Sequence, residues 1–321
     1  MLLLHTELTD RIRDAIAERL MRQNLPVRLA SLGAGPSGAL LVGMKLTKDE
    51  FDRACEAGVR WIQALPAGVE HVLTAELAAS PIILTTGGGT AARPIAEFVF
   101  ARILESAKKL RLLDEMQASR TWNQVWLGEL AGATLTIVGL GPIGRAVAEL
   151  GRAFGMHLVG VRRRPEAGPG PCDEVIGPES LTSVLSRTEY LVLAAPLTDQ
   201  TRGLIGAREL AALRDQSLVV NVGRGELIDE AALVDELASG RIRAALDVFA
   251  EEPLSTTSPW WDVDGAVVSP HCSAFTTSLF EGLVDLVIDN VQRFVDGRPL
   301  RNVVDKASGY PLPNDLDSPG C

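Results

Sequence analysis

Apolar and polar positions along the chain fall into two successive series of alternating elements. Residues 7–23 place Leu8, Ile12, Ile16 and Leu20 at four-residue spacing among charges, the stripe of an amphipathic surface helix. Short apolar runs at 27–30 and 39–42 read as buried strands, and Thr47-Lys48-Asp49-Glu50 has the form of a capping box that opens a helix. Residues 59–64 read as a further strand. After the turn Leu65-Pro66-Ala67-Gly68-Val69 and a helical stretch, residues 81–85 read as another. Strand and helix alternate, which predicts a mostly parallel sheet.

Gly87-Gly88-Gly89 precedes a long helical pattern over 93–118, with Pro94 suited to its first turn. The second series begins at Thr134. It comprises strands at 134–138, 157–161, 190–194, 217–222, 244–248 and 266–269, with helices at 142–154 and 229–238, the order of a doubly wound sheet. A last helix over 276–295 stops at Gly297-Arg298-Pro299. The tail beyond it is rich in Pro, Gly and Asp and is expected to be loosely ordered. The expected class is therefore α/β with two doubly wound parallel-sheet domains, one of residues 1–98 completed by 278–321 and one of residues 99–277.

The length of 321 residues agrees with two cores. A net charge of −10 argues against nucleic acid as a partner, which requires clustered positive charge. The start holds only a three-leucine run, with Glu7 and Asp10 close behind, too short for a signal peptide or a membrane span. A cytoplasmic protein with no membrane partner is expected. Cys55, Cys172, Cys272 and Cys321 lie far apart without CxxC pairs, so neither a disulfide framework nor a metal site is expected. Of the four histidines, His5, His71 and His157 stand in settings that suggest nothing catalytic. His271 is different.

Gly139, Gly141 and Gly144 form a G-x-G-x-x-G directly after one strand and at the start of a helix, with Pro142 and Ile143 inside the motif. In that context the glycines serve a tight turn, close approach of backbone to a pyrophosphate, and close packing of helix on strand. A dinucleotide cofactor is expected. About 20 residues on, where an acid normally accepts hydrogen bonds from the adenosine ribose, the chain reads Val159-Gly160-Val161-Arg162-Arg163-Arg164. Arginine cannot accept those bonds, whereas its guanidinium fork suits a 2′-phosphate. NADP is therefore preferred over NAD, with a solvated basic turn as the alternative.

Three segments place polar residues at strand ends, where open α/β sheets bind ligands. They are Asn221-Val222-Gly223-Arg224-Gly225, Asp247-Val248-Phe249-Ala250-Glu251-Glu252-Pro253 and Ser269-Pro270-His271-Cys272-Ser273-Ala274. With these motifs the chain resembles the D-2-hydroxyacid dehydrogenase family, glyoxylate/hydroxypyruvate reductases included. The resemblance implies a flavodoxin-like substrate domain, a Rossmann cofactor domain, and Arg224, Glu252 and His271 as catalytic residues. Glu251 is the rival to Glu252, which is chosen because it directly precedes Pro253. Ala195-Pro196-Leu197-Thr198-x-x-Thr201 is similar to the family's cofactor-side loop, so Pro196 and Thr201 join the cofactor contacts, as do Val222 and Ala274. Asp247 is implied at the nicotinamide side, or else anchors its strand end. Ala67-Gly68-Val69 is similar to the loop whose amides hold the substrate carboxylate, which makes Ala67 and Gly68 substrate contacts together with Arg224. Glu70 stands where the family commonly has Asp. The 93–118 helix, with Ile95, Phe98, Val99, Ile103 and Leu104, resembles the family's dimer arm and implies a homodimer.

The chemistry requires these residue types together. Hydride addition to a 2-keto acid puts negative charge on the former carbonyl oxygen, which must also receive a proton. A permanently charged arginine can hold the carboxylate and stabilise the developing charge, the role expected of Arg224. Histidine can pass a proton in either direction near neutral pH, the role of His271, and a carboxylate beside it orients the ring, the role of Glu252. All three are expected to converge on one cleft. The competing class is a non-catalytic NAD(H)-sensing binding protein of corepressor type, against which the complete triad speaks. Formate dehydrogenases similar to this scaffold carry glutamine near the histidine. A phosphoglycerate dehydrogenase with a regulatory extension is disfavoured, since only about 50 residues follow His271. Trp122 and Trp126 are open between core, interface and cleft.

Overall fold

The computed structural model describes residues 2–4, 8–307 and 309–312. His5, Cys321 and most of the Pro-, Gly- and Asp-rich tail lie outside them. In chain order the first elements are β1 (Leu2–Leu4), α1 (Asp10–Arg22), β2 (Leu29–Ser31), β3 (Ala39–Val42), α2 (Lys48–Glu56), β4 (Trp61–Ala64), α3 (Ala75–Ala79) and β5 (Ile83–Thr85). Next come α4 (Ala92–Ala107), α5 (Leu110–Ala118), β6 (Thr134–Val138), α6 (Pro142–Ala153), β7 (His157–Val161), β8 (Glu174–Ile176), α7 (Thr182–Leu185) and β9 (Tyr190–Leu193). They continue with α8 (Ala207–Ala212), β10 (Leu218–Asn221), α9 (Glu230–Ala238), β11 (Arg243–Leu246) and β12 (Ala266–Val268). The described chain ends with α10 (Thr277–Val295), β13 (Val304–Asp305) and β14 (Tyr310–Pro311).

Two compact units result, one of Met1–Ala91 with Thr276–Cys321 and one of Ala92–Phe275. In the first, the strand order β2-β1-β3-β4-β5 is all parallel, the flavodoxin-like order. The capping box holds: Glu50 N donates to Thr47 Oγ1 at 3.3 Å and Thr47 N to Glu50 Oε2 at 3.0 Å. α10 returns to this unit by apolar burial of Val284, Val287 and Ile288 with Ile16 and Leu20. A buried amide pair adds direction, Asn290 Nδ2 donating to Gln63 Oε1 at 2.8 Å. In the second unit the order is β12-β11-β10-β9-β6-β7-β8, again parallel throughout. β6 is the first strand, and the chain winds outwards from it in both directions. The topological switch point therefore lies between β6 and β9.

Several expectations need correction. Residues 2–4 form a strand inside the first sheet, paired with β2 and β3; a run of three residues shows no period from which to read it. The 93–118 helix is two helices broken at Lys109, which has φ 50 and ψ 40. The cause is distant in sequence: Gly128 N donates to the Ala107 carbonyl at 2.8 Å and Lys108 Nζ to the Gly128 carbonyl at 2.7 Å, capping α4 from a returning segment. The units divide at 91/92 and 275/276 rather than at 98/99 and 277/278, because α4 packs along α6 and stacks Phe100 on Phe154 at 5.2 Å. β8, α7 and α8 are too short for the periodicity to show. Among the described residues, no helix is long and apolar enough to cross a membrane. Burial pushes the Cys172 thiol up to about 11, with Asp173 adding to the effect, so it packs as an inert side chain.

Candidate active site

At the switch point the three glycines of the phosphate turn divide the work as their chemistry requires. Gly139 has φ +98, and a Cβ there would lie 2.7 Å from the backbone of Ala195, in the loop after β9. A Cβ on Gly144 would lie 1.9 Å from the Gly139 carbonyl oxygen, so only glycine lets α6 pack on this turn. Gly141 is the N-cap of α6, yet a Cβ there would meet nothing within 4 Å. Open space in front of an N-terminus with no side-chain cap, and with Pro142 in its first turn, is the cradle a pyrophosphate needs. Ile143 lies in that first turn. Across the switch point the loop after β9 is fixed by Thr201, whose Oγ1 donates to the Pro196 carbonyl at 2.7 Å and accepts from Thr198 N at 2.8 Å.

After β7, Arg162 turns back: its Nε donates to the Arg164 carbonyl at 2.7 Å. Its Nη2 is buried without a hydrogen-bond partner among the described residues. A charged donor in that state is costly unless a ligand or water reaches it. Arg163 and Arg164 are exposed. The open cradle and the orphaned guanidinium nitrogen fit a dinucleotide phosphate set.

The other candidate residues cluster at the carboxyl ends of β10, β11 and β12. Asn221, 1% exposed, accepts from Gly223 N at 3.0 Å and donates Nδ2 to the Arg224 carbonyl at 2.9 Å, clamping the turn that presents Arg224. Gly223 and Gly225 permit close approach. A Cβ on Gly223 would lie 2.8 Å from the Ala195 carbonyl oxygen, and one on Gly225 would lie 2.0 Å from the backbone of Phe249. Val222 is buried, its N donating to the Leu193 carbonyl at 3.1 Å. The loops after β9, β10 and β11 are thus pressed together.

After β11, Phe249 N donates to Glu252 Oε1 at 2.9 Å, and Ala250 N to Glu230 Oε1 at 2.8 Å. Glu252 Oε2 then meets His271 Nδ1 at 2.7 Å. Glu251 is exposed and makes no such contact in the described structure, which favours the choice of Glu252. His271 has φ 50, a left-handed conformation that costs a non-glycine residue of order 1–3 kcal/mol when sparsely tolerated. Asp247 holds it there: its carboxylate accepts from Ser269 Oγ at 2.6 Å, Cys272 N at 3.1 Å and Ser273 N at 2.9 Å. Its carbonyl accepts from His271 N at 2.9 Å. The buried Asp247 carboxylate therefore shapes the turn carrying His271, and Ala274 completes that turn.

Ala67 and Gly68 lie in the loop after β4, in the first unit. Trp122 and Trp126 are almost fully exposed, so neither belongs to a core. His157 lies 3.7 Å from Asp173, an ordinary partner for a half-exposed histidine. Sequence reasoning missed the clamp made by Asn221 and the support given by Glu230. The first had a signal, since asparagine two residues before a glycine commonly bonds its own backbone two residues on. The second had none, because the partners of Glu230 lie 20 and 30 residues downstream.

A parallel doubly wound sheet with a phosphate turn at its switch point, and a His–Glu pair at its strand ends, defines a dinucleotide-dependent oxidoreductase. The model for the D-isomer specific 2-hydroxyacid dehydrogenase NAD-binding domain matches residues 100–273. A glyoxylate reductase of Aeropyrum pernix is 34% identical over 237 residues, 70% of each chain. A D-3-phosphoglycerate dehydrogenase of Methanocaldococcus jannaschii is 30% identical over 82% of this chain, which spans 50% of that relative. Among solved structures, an NADPH-dependent glyoxylate/hydroxypyruvate reductase of Sinorhizobium meliloti, in complex with NADP and sulfate, superposes with a TM-score of 0.82 at 29% identity. That match covers 96% of this chain and 99% of the other. The chain belongs to the D-isomer-specific 2-hydroxyacid dehydrogenase family, NAD(P)-dependent oxidoreductases of 2-hydroxy acids.

Proposed function

We propose that this protein is an NADPH-preferring reductase of a small 2-keto acid such as glyoxylate or hydroxypyruvate. Arg224 is the electrostatic catalyst, His271 the acid/base and Glu252 its partner. The observation that carries the reading is the 2.7 Å contact between His271 Nδ1 and Glu252 Oε2 beside the clamped Arg224 turn. With Nδ1 committed to Glu252, Nε2 is the ring nitrogen left to exchange a proton with the substrate oxygen. Glu252 fixes the ring because its other oxygen is itself held by Phe249 N. The Arg224 guanidinium binds the substrate carboxylate and stabilises charge on the oxygen being protonated. When bound, the dinucleotide supplies the hydride. The backbone amides of Ala67 and Gly68 are proposed to take the carboxylate as well. On the cofactor side Pro196 and Thr201 shape the loop facing the phosphate turn, while Val222, Asp247 and Ala274 belong to the strand ends near the nicotinamide.

The preference for NADPH rests on Arg162, whose buried Nη2 lacks a partner among the described residues, and on the absence of an acid there. It agrees with the NADP bound in the Sinorhizobium meliloti relative. Turnover of a panel of 2-keto acids with NADPH and with NADH tests both points. One charge-assisted contact to the 2′-phosphate predicts a ~10- to 100-fold advantage in kcat/KM for NADPH, largely abolished in Arg162→Asp. An unchanged cofactor ratio in that variant would make the arginine run a surface feature, and no turnover of any keto acid would sink the enzymatic reading.

We further propose a homodimer in the cytoplasm. α5 has no buried residue, and the exposed Leu110, Leu112, Trp122 and Trp126 follow one another along this part of the chain, as an unpartnered arm requires. Sedimentation at micromolar concentration should give twice the chain mass, and a monomer would remove this claim.

A further inference from the structure

Three buried side-chain polar atoms have no hydrogen-bond partner among the described residues: Arg162 Nη2, Ser106 Oγ and Arg243 Nε. The first lies at the dinucleotide end of the second sheet. The other two belong to one recess at the opposite end of that sheet, where β10, β11 and β12 begin and α4 gives way to α5. This cavity of about 260 Å³ is far larger than a single water requires.

Its charge is unbalanced. Arg102, Lys109, Arg111 and Arg243 line it against the single carboxylate of Glu105, and that carboxylate is already taken. Arg102 Nη1 donates to Glu105 Oε2 at 2.9 Å and Arg111 Nε to Glu105 Oε1 at 3.0 Å. Arg243 finds only carbonyls, with Nη2 on Gln216 at 2.8 Å and Nη1 on Ser106 at 3.5 Å. Burial pushes its pKa down, against a smaller opposing effect of Tyr190, as happens to a cation with no counter-charge. Ordered water can satisfy a lone donor, but it does not offset a surplus of positive charge in a half-buried recess.

We propose that the foot of β10, β11 and β12 is a binding site for a small free oxyanion, phosphate or carboxylate, held by Arg243, Ser106 and Lys109. The site is separate from the catalytic one, because Arg224, Glu252 and His271 follow the opposite ends of the same strands. It does not rest on the proposed reaction.

Equilibrium dialysis of labelled phosphate and labelled malonate against the full chain, at constant ionic strength, tests this. With saturating NADP filling the phosphate turn and Arg224→Met removing the proposed substrate-carboxylate site, one saturable equivalent of either anion per chain is expected. It should also persist in Arg162→Ala, because Arg162 follows the opposite end of the sheet. It should weaken roughly tenfold or more in Arg243→Gln and in Lys109→Glu, the worth of one charge-assisted contact. Lys109 is exposed, so its variant keeps the test valid if the Arg243 variant fails to fold. Three results would overturn the proposal. They are no saturable binding of either anion, binding indifferent to both foot-site substitutions, or uptake that rises as the protein is diluted. The last would assign the recess to an acidic side chain of a second copy.

Discussion

Replacing His271 should lower kcat by ~10²–10⁴, the usual worth of a positioned proton donor, while dinucleotide affinity stays close to that of the wild type. The loss follows from geometry. Without the imidazole, Glu252 is still held by Phe249 N, which donates to its Oε1 at 2.9 Å, so it does not readily swing into the place of the missing ring. Two substitutions separate chemistry from folding. His271 has φ 50, a conformation asparagine tolerates better than alanine. His271→Asn should therefore unfold near the wild-type temperature, whereas His271→Ala should lose stability as well. Both should lose turnover to a similar extent. Stopped-flow reduction of keto acid with saturating cofactor, set beside thermal unfolding, reads the two effects independently. Near-normal turnover in the asparagine variant would remove His271 from the acid/base role.

Much of the fold could be read from periodicity because each sheet is parallel and buried, so its strands are short unbroken apolar runs between helical stripes. The same property hid β1. Leu2, Leu3 and Leu4 carry no alternation, and only pairing with Leu29 and Ala39 on either side makes them a strand. The break at Lys109 was equally hidden, since Gly128, which caps α4, lies about 20 residues downstream. In the candidate site, the residues that touched recognisable local motifs were legible. Gly139 and Gly144 announce close backbone approach through their place in the G-x-G-x-x-G, and the structure shows what each approaches, whereas the close approaches at Gly223 and Gly225 emerge only from the fold. The supporting residues were not legible. Asp247 reads as a strand-end acid, yet its carboxylate accepts bonds from residues 22, 25 and 26 positions away. Glu230 reads as a helix-start acid, yet it holds Ala250 and Trp260. A long-range hydrogen bond to a backbone amide leaves no pattern in a single sequence. Residues that act through others are therefore the ones most easily missed.

Arg224 is expected to show a different kinetic signature from His271. Removing a preorganised charge aimed at a developing oxyanion costs ~10²–10³ in kcat. If the same guanidinium also binds the substrate carboxylate, KM should rise in addition. Arg224→Met should accordingly lower kcat/KM for the keto acid by more than kcat alone, while the cofactor KM changes little. Arg224→Lys should fall between, because it keeps the charge and loses the planar fork that serves carboxylate and carbonyl together. The turn itself should survive either change. Asn221 clamps it through Gly223 N and the Arg224 carbonyl, and Gly225 seats it on Phe249 and Ala250. None of those contacts uses the arginine side chain, whose Nη1 donates to the adjacent Gly223 carbonyl at 2.7 Å within this turn. Steady-state kinetics with one keto acid varied, at saturating cofactor, separates the two effects. A rise in KM with unchanged kcat would restrict Arg224 to substrate binding, and leave charge stabilisation to some other group.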